Sequence, residues 1–147
     1  MTGVSRQLAR GRSLARRCAM QALYQWQLTA QEADEIEKQF LGGEEVKGAD
    51  IEYFSELLRQ CIGKKDELDA LIAGHADRPV EQLDPVERAI LWMGMYELQE
   101  RLDVPYRVAI NEGVELSKRF GATDGHRYVN ALLDRAARSL RAAEQKT

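Results

Sequence analysis

The chain is poor in the residues that build most reactive centres. It holds two histidines, His75 and His126, and two cysteines, Cys18 and Cys61, in 147 residues. Neither histidine stands one helical turn from a second metal-binding residue, the spacing that helical zinc sites use. The cysteines lack CxxC spacing and sit in helical patterns beside apolar neighbours, so they read as reduced core residues, a disulfide between them being the alternative. No GxGxxG or GxxxxGK[ST] loop is present to cradle a nucleotide. Carboxylates are plentiful, but Glu44-Glu45 falls in a loop and Glu32, Asp34, Glu35 and Glu37 read as a solvated run. Catalytic pairs need a desolvated cleft that separates their pKa values, and nothing here marks one. The expectation is a protein with no catalytic, metal or cofactor site. No uninterrupted apolar run follows the charged N-terminus, which speaks against a signal peptide or a membrane span and for a cytoplasmic protein.

Acidic residues are also missing from one end. None occurs before Glu32, while Arg6, Arg10, Arg12, Arg16 and Arg17 precede it. This arm carries +5 in a chain of net charge −3, so the remainder stands at −8. A phosphate feels the local field within a Debye length of about 10 Å, not the net charge. A basic pole on an acidic body implies two different partner surfaces, the basic one suited to nucleic acid. With 44% hydrophobic and 31% charged residues, the chain has the composition of one soluble globular domain over residues 1–147.

Apolar periodicity is helical almost throughout, and strands find no support. From Ser13 to Leu28, Ala15, Cys18, Ala19, Ala22, Leu23 and Trp26 share a face, with Arg10, Arg17, Gln21 and Tyr24 opposite. Ala33, Ile36 and Phe40 mark a short second helix before the Gly42-Gly43 loop. Asp50 is placed to cap a long helix with stripe Ile51, Phe54, Leu58 and Cys61, bending near Gly63 and resuming at Leu68, Leu71 and Ile72. Asp84-Pro85-Val86-Glu87 combines a capping carboxylate, a first-turn proline and a capping-box glutamate. The helix it opens is apolar on nearly every side from Ala89 to Leu98. Pro105 opens another, striped by Ala109, Gly113, Leu116 and Phe120, with Gly121 as a left-handed stop. Asp124 caps the last, whose inward positions are Val129, Leu132, Ala136 and Leu140. The total is six or seven helices.

The constellation that carries chemistry is the outer face of the first helix. Tyr24 lies opposite the apolar stripe within two turns of Arg17 and Gln21, an aromatic plate among phosphate-seeking groups. Single-stranded nucleic acid uses such surfaces, each stacked base contributing about 1–3 kcal/mol. From pattern alone, Tyr24 could equally pack on a neighbouring helix and the arginines could form a solvated end.

Three blocks resemble the NusB family of bacterial antitermination factors. Arg16-Arg17-Cys-Ala-Met-Gln-Ala-Leu-Tyr-Gln-Trp-Gln-Leu28 is similar to the family's opening helix. Val104-Pro-Tyr-Arg-Val-Ala-Ile-Asn-Glu-Gly-Val-Glu-Leu-Ser-Lys-Arg-Phe-Gly121 resembles its most recognisable segment, and His126-Arg-Tyr-Val-Asn-Ala-Leu-Leu-Asp134 its closing helix. The resemblance implies an all-α fold of two packed three-helix bundles without catalytic activity. It implies binding of single-stranded boxA RNA together with the ribosomal protein NusE, in contact with the RNA polymerase elongation complex through other Nus factors. Carried over by position, the RNA residues are Arg6, Arg10, Arg12, Arg16, Arg17, Gln21, Tyr24, Lys118, Arg119 and Asp124. Asp124 can also serve as a helix cap, Phe120 sits on the apolar stripe, and Asn111, Glu112 and Asn130 can buttress helix ends. The partner residues are Glu81, Glu87 and Arg88. The family carries alanine and glycine more often where this chain has Gly113 and Ala131.

Other classes remain. A DNA-binding protein needs a recognition helix for a major groove, and no second helix is basic enough. A helical protein-interaction module, related to the N-terminal domain of ribosomal RNA cytosine methyltransferases, would act through the acidic surface and keep its function without the arm.

Overall fold

The computed structural model describes residues 3–145. Among these it contains eight α-helices, one 3-10 turn and no strand, so the all-α expectation holds and the helix count is slightly higher than the sequence suggests. The chain divides into two compact units between Gly63 and Lys64.

The first unit is a three-helix assembly of α1 (Gly3–Leu28), α2 (Ala33–Leu41) and α3 (Ile51–Gly63), each touching the other two. Small residues on α1, namely Ala15, Cys18, Ala19 and Ala22, are fully buried beside Leu23. Their size lets α3 approach closely, and α3 answers with buried Phe54, Leu57, Leu58 and Cys61. Phe40 of α2 meets Phe54 with ring centroids 5.8 Å apart, a separation typical of favourable aromatic pairs. Asp50 accepts the Tyr53 N–H at 3.0 Å and so starts α3. Two details differ from the sequence pattern. Ile51, expected on the inner stripe, is exposed, while Tyr53 is buried. Glu37, expected in a solvated run, is buried and receives two hydrogen bonds from Arg59. That pairing lowers the Glu37 pKa. The cysteines are both buried and free; burial pushes the Cys18 thiol up, and its Sγ donates to Glu45 O at 3.0 Å.

Where one bent helix was expected, α3 ends at Gly63 and α4 (Lys65–Ala73) begins separately, opening the second unit. A 3-10 turn (Val80–Gln82) leads to α5 (Pro85–Glu100), α6 (Tyr106–Phe120), α7 (Gly125–Leu140) and α8 (Ala142–Gln145). Helix α5 is buried along Ala89–Leu98 and contacts α4, α6 and α7, as its all-round apolar character demands. Its start follows the sequence signal: Asp84 accepts from Val86 N–H at 2.7 Å and from Glu87 N–H at 3.4 Å, with Pro85 at the first position.

Helices α5, α6 and α7 meet at Leu133. A β-carbon on Gly94 would come within 2.7 Å of Leu133 Cδ2, and one on Gly113 within 3.2 Å of Leu133 Cδ1. The glycines therefore make room for one leucine. Gly121 is not the left-handed stop expected: its backbone is extended, and a β-carbon there would sit 2.8 Å from Ser117 O. Phe120 is half-buried rather than core. At the far end, the buried Arg141 guanidinium donates to the carbonyls of Glu97, Leu98, Arg101 and Val104, closing the α5–α6 connection. Its partner Glu144 accepts the Tyr106 N–H, which lowers the Glu144 pKa.

Candidate nucleic-acid interface and docking region

At about 100° per residue, Arg6, Arg10, Arg17, Gln21 and Tyr24 fall within roughly 60° of one another around α1. Arg6 and Arg10 are exposed, Arg17 and Gln21 half-buried, and Tyr24 is 40% exposed. This outward stripe combines three guanidinium groups, an amide and a phenol ring. Arg6 lies in the first turn of α1, where no acidic residue occurs. A cation at the positive end of a helix dipole is disfavoured by about 0.3–1 kcal/mol, and a bound phosphate would relieve it.

Arg12 and Arg16 belong elsewhere. They turn toward α3, where their guanidinium carbons lie 4.8 Å and 5.4 Å from the Tyr53 ring centroid. Arg16 is only 3% exposed. The sequence grouped five arginines as one arm; the fold separates two of them onto another face.

In the second unit, Lys118 and Arg119 close α6 and are exposed, Lys118 pairing with Glu115 at 3.4 Å and Arg119 lying 5.0 Å from the Phe120 ring centroid. Asp124 does not cap α7 with its side chain, contrary to the capping expectation. It adopts φ 65°, ψ 2°, the left-handed region, and makes no cap hydrogen bond. It is the one non-glycine residue with positive φ among the described residues. Its carboxylate is 69% exposed and 3.8 Å from Arg127. Strain held at an exposed loop carboxylate is more common at functional positions than elsewhere. Asn111 and Asn130 are exposed, and Glu112 is half-buried.

The candidate docking residues differ among themselves. Glu81 is exposed in the 3-10 turn. Arg88 is half-buried, its Nη2 2.7 Å from Asp69 Oδ2 and its guanidinium carbon 5.2 Å from the Trp92 ring centroid. Asp69 also accepts the Trp92 indole N–H at 2.7 Å. Glu87 is 7% exposed, and its carboxylate turns to Gly125 instead of returning a capping-box bond to Asp84. Burial pushes its pKa up, the Asp84 charge adds to the rise, and Arg78 opposes it.

The sequence pattern of the NusB family matches residues 13–138. The chain belongs to the NusB family. Transcription antitermination protein NusB of Alcanivorax borkumensis is 52% identical over 133 residues, covering 90% of this chain and 89% of that protein. The protein of the same name from Pectobacterium carotovorum is 51% identical over 130 residues, covering 88% and 94%. Among solved structures, T. maritima NusB superposes with a TM-score of 0.78 at 25% identity, covering 92% of this chain and 96% of that one. Membership in the NusB family accounts for the helical architecture and for the three sequence blocks. No helix among the described residues is long and apolar enough to cross a membrane.

Sequence reasoning missed Tyr53, Asp69 and Arg141. Tyr53 could have been suspected from its position three residues after the Asp50 cap, but its two arginine partners lie some forty residues away in the chain. Asp69 and Arg141 gave no local signal, because their bonding partners are assembled only by the fold.

Proposed function

We propose that this NusB-family transcription antitermination factor binds boxA-type single-stranded RNA along the outward stripe of α1 and docks the ribosomal protein NusE near the start of α5. The observation that carries this reading is the alignment of Arg6, Arg10, Arg17 and Gln21 with the exposed ring of Tyr24 on one face of α1. Guanidinium groups engage phosphates, and an exposed ring offers a stacking surface that every base can use. Lys118, Arg119 and Asp124 are assigned to the same RNA by the family resemblance, and Asp124's exposed carboxylate is suited to accept from base amino groups. On this reading residues 1–147 serve as one RNA-binding domain.

For the protein partner, the exposed Glu81 carboxylate favours a basic surface, and Glu87, buried against Gly125, is assigned to the same region by the family resemblance. Arg88, engaged with Asp69 and Trp92, shapes this region from within. The pair then acts in the cytoplasm on nascent ribosomal RNA, helping the polymerase elongation complex to continue, and the reading gives the chain no catalytic step. The test is a fluorescence-anisotropy titration of boxA RNA and of a scrambled RNA, with and without NusE. Preference for boxA that strengthens with NusE is the expected result; equal affinity for both RNAs under both conditions overturns the reading.

A further inference from the structure

Tyr53 holds two like-charged side chains that would otherwise repel each other. Arg12 and Arg16 are four residues apart on α1, the spacing at which like charges repel. Both guanidinium carbons nevertheless lie within 5.4 Å of one ring centroid. The negative face of the ring attracts each cation, most strongly where water is excluded, and Tyr53 is only 3% exposed. Arginine tolerates such a place because its planar group is weakly hydrated and stacks on aromatic faces.

The same place carries a second tie. Asp50 N–H donates to Gly11 O at 2.9 Å, one residue before Arg12, while Asp50 Oδ1 starts α3 at Tyr53. Backbone and side chains thus clamp α1 to the start of α3 at residues 11, 12 and 16. The first turns, from residue 5 to residue 10, are exposed, so this clamp is where the basic end of α1 gains its orientation.

We propose that Tyr53 is a positioning residue for RNA binding: with Arg12 and Arg16 it fixes the rotation of α1, so that Arg6, Arg10, Arg17, Gln21 and Tyr24 face outward together. This rests on the RNA-binding reading above, and it moves Arg12 and Arg16 from RNA contacts to anchors. The ring is the part of Tyr53 on which both guanidinium groups lie.

The experiment titrates boxA RNA against Tyr53→Phe, which keeps the ring, and Tyr53→Met, which keeps apolar volume without it, each checked for helicity by circular dichroism. Tyr53→Phe binds like the unaltered chain, and Tyr53→Met binds about fivefold or more weakly. Tyr24→Ala added to Tyr53→Met costs less than it does alone, the non-additivity expected of coupled residues. A simple loss of stability would not produce that coupling in a folded protein. If Tyr53→Met loses its helicity, Arg16→Lys carries the test, since it keeps the charge but gives up the planar stack. Full affinity in the folded Tyr53→Met or Arg16→Lys variant overturns the proposal while leaving the RNA reading intact. Failure of the unaltered chain to prefer boxA removes both.

Discussion

The Glu87 carboxylate occupies the space that a β-carbon on Gly125 would need. The glycine at the start of α7 thus admits a buried acid from α5. Burial raises the Glu87 pKa above its ordinary value, so the folded state holds that proton more tightly than the unfolded state. The associated stability is fully present below the ordinary glutamate range and is lost as pH rises through the raised folded value. Glu87→Gln is therefore expected to stabilise the chain at neutral pH, with the gain vanishing in acid. Urea unfolding of both proteins across that range checks the sign, and a gain that grows toward low pH would contradict it.

Arg141 supports a different prediction. Arg141→Met removes the donor to four carbonyls at the α5–α6 connection. Buried acceptors left without donors make the expected loss about 3 kcal/mol or more. Chemical denaturation measures it.

Gly94→Ala sets two effects against each other. Helix propensity favours alanine by about 1 kcal/mol, but the new methyl group would press on Leu133, with both δ carbons within 2.9 Å of it. Overpacking of this kind costs about 1–3 kcal/mol. Net destabilisation is expected in thermal unfolding.

Much of this fold was legible because the decisive signals were local. Asp84 and Pro85 sit beside the backbone groups they cap or free, and α5's all-round apolar sequence admits only a central place. The inner stripe of α1 follows from a helical period. The failures share the opposite property. Nothing near Gly121 in sequence distinguishes a left-handed glycine from an extended one crowded by Ser117. Asp124 has the identity of a helix cap, yet its left-handed backbone leaves the side chain outside the helix. Glu37 becomes buried only because Arg59 arrives from α3. For the candidate site, the Tyr24 stripe was readable on a helical wheel, which also leaves Arg12 and Arg16 off it, while the ring they pack on instead, Tyr53, was assembled only by the fold.

Glu81 tests the proposed docking surface. Because it is exposed, Glu81→Lys should leave folding unchanged and weaken NusE binding by about tenfold, equivalent to about 1.4 kcal/mol. RNA affinity of the chain alone should hold. Calorimetry with NusE reads the effect, and undiminished partner affinity would place the docking surface elsewhere.

Tyr24 tests the central claim most directly. Its ring is 40% exposed on the outward face of α1, so Tyr24→Ala should change stability by no more than about 0.5 kcal/mol in urea unfolding. A base stacked on that ring contributes about 1–3 kcal/mol, so boxA affinity of the same variant should fall by that amount. Unaltered stability with that loss of affinity is the predicted pair of results. Unaltered boxA affinity in the folded variant would contradict the placement of RNA on α1.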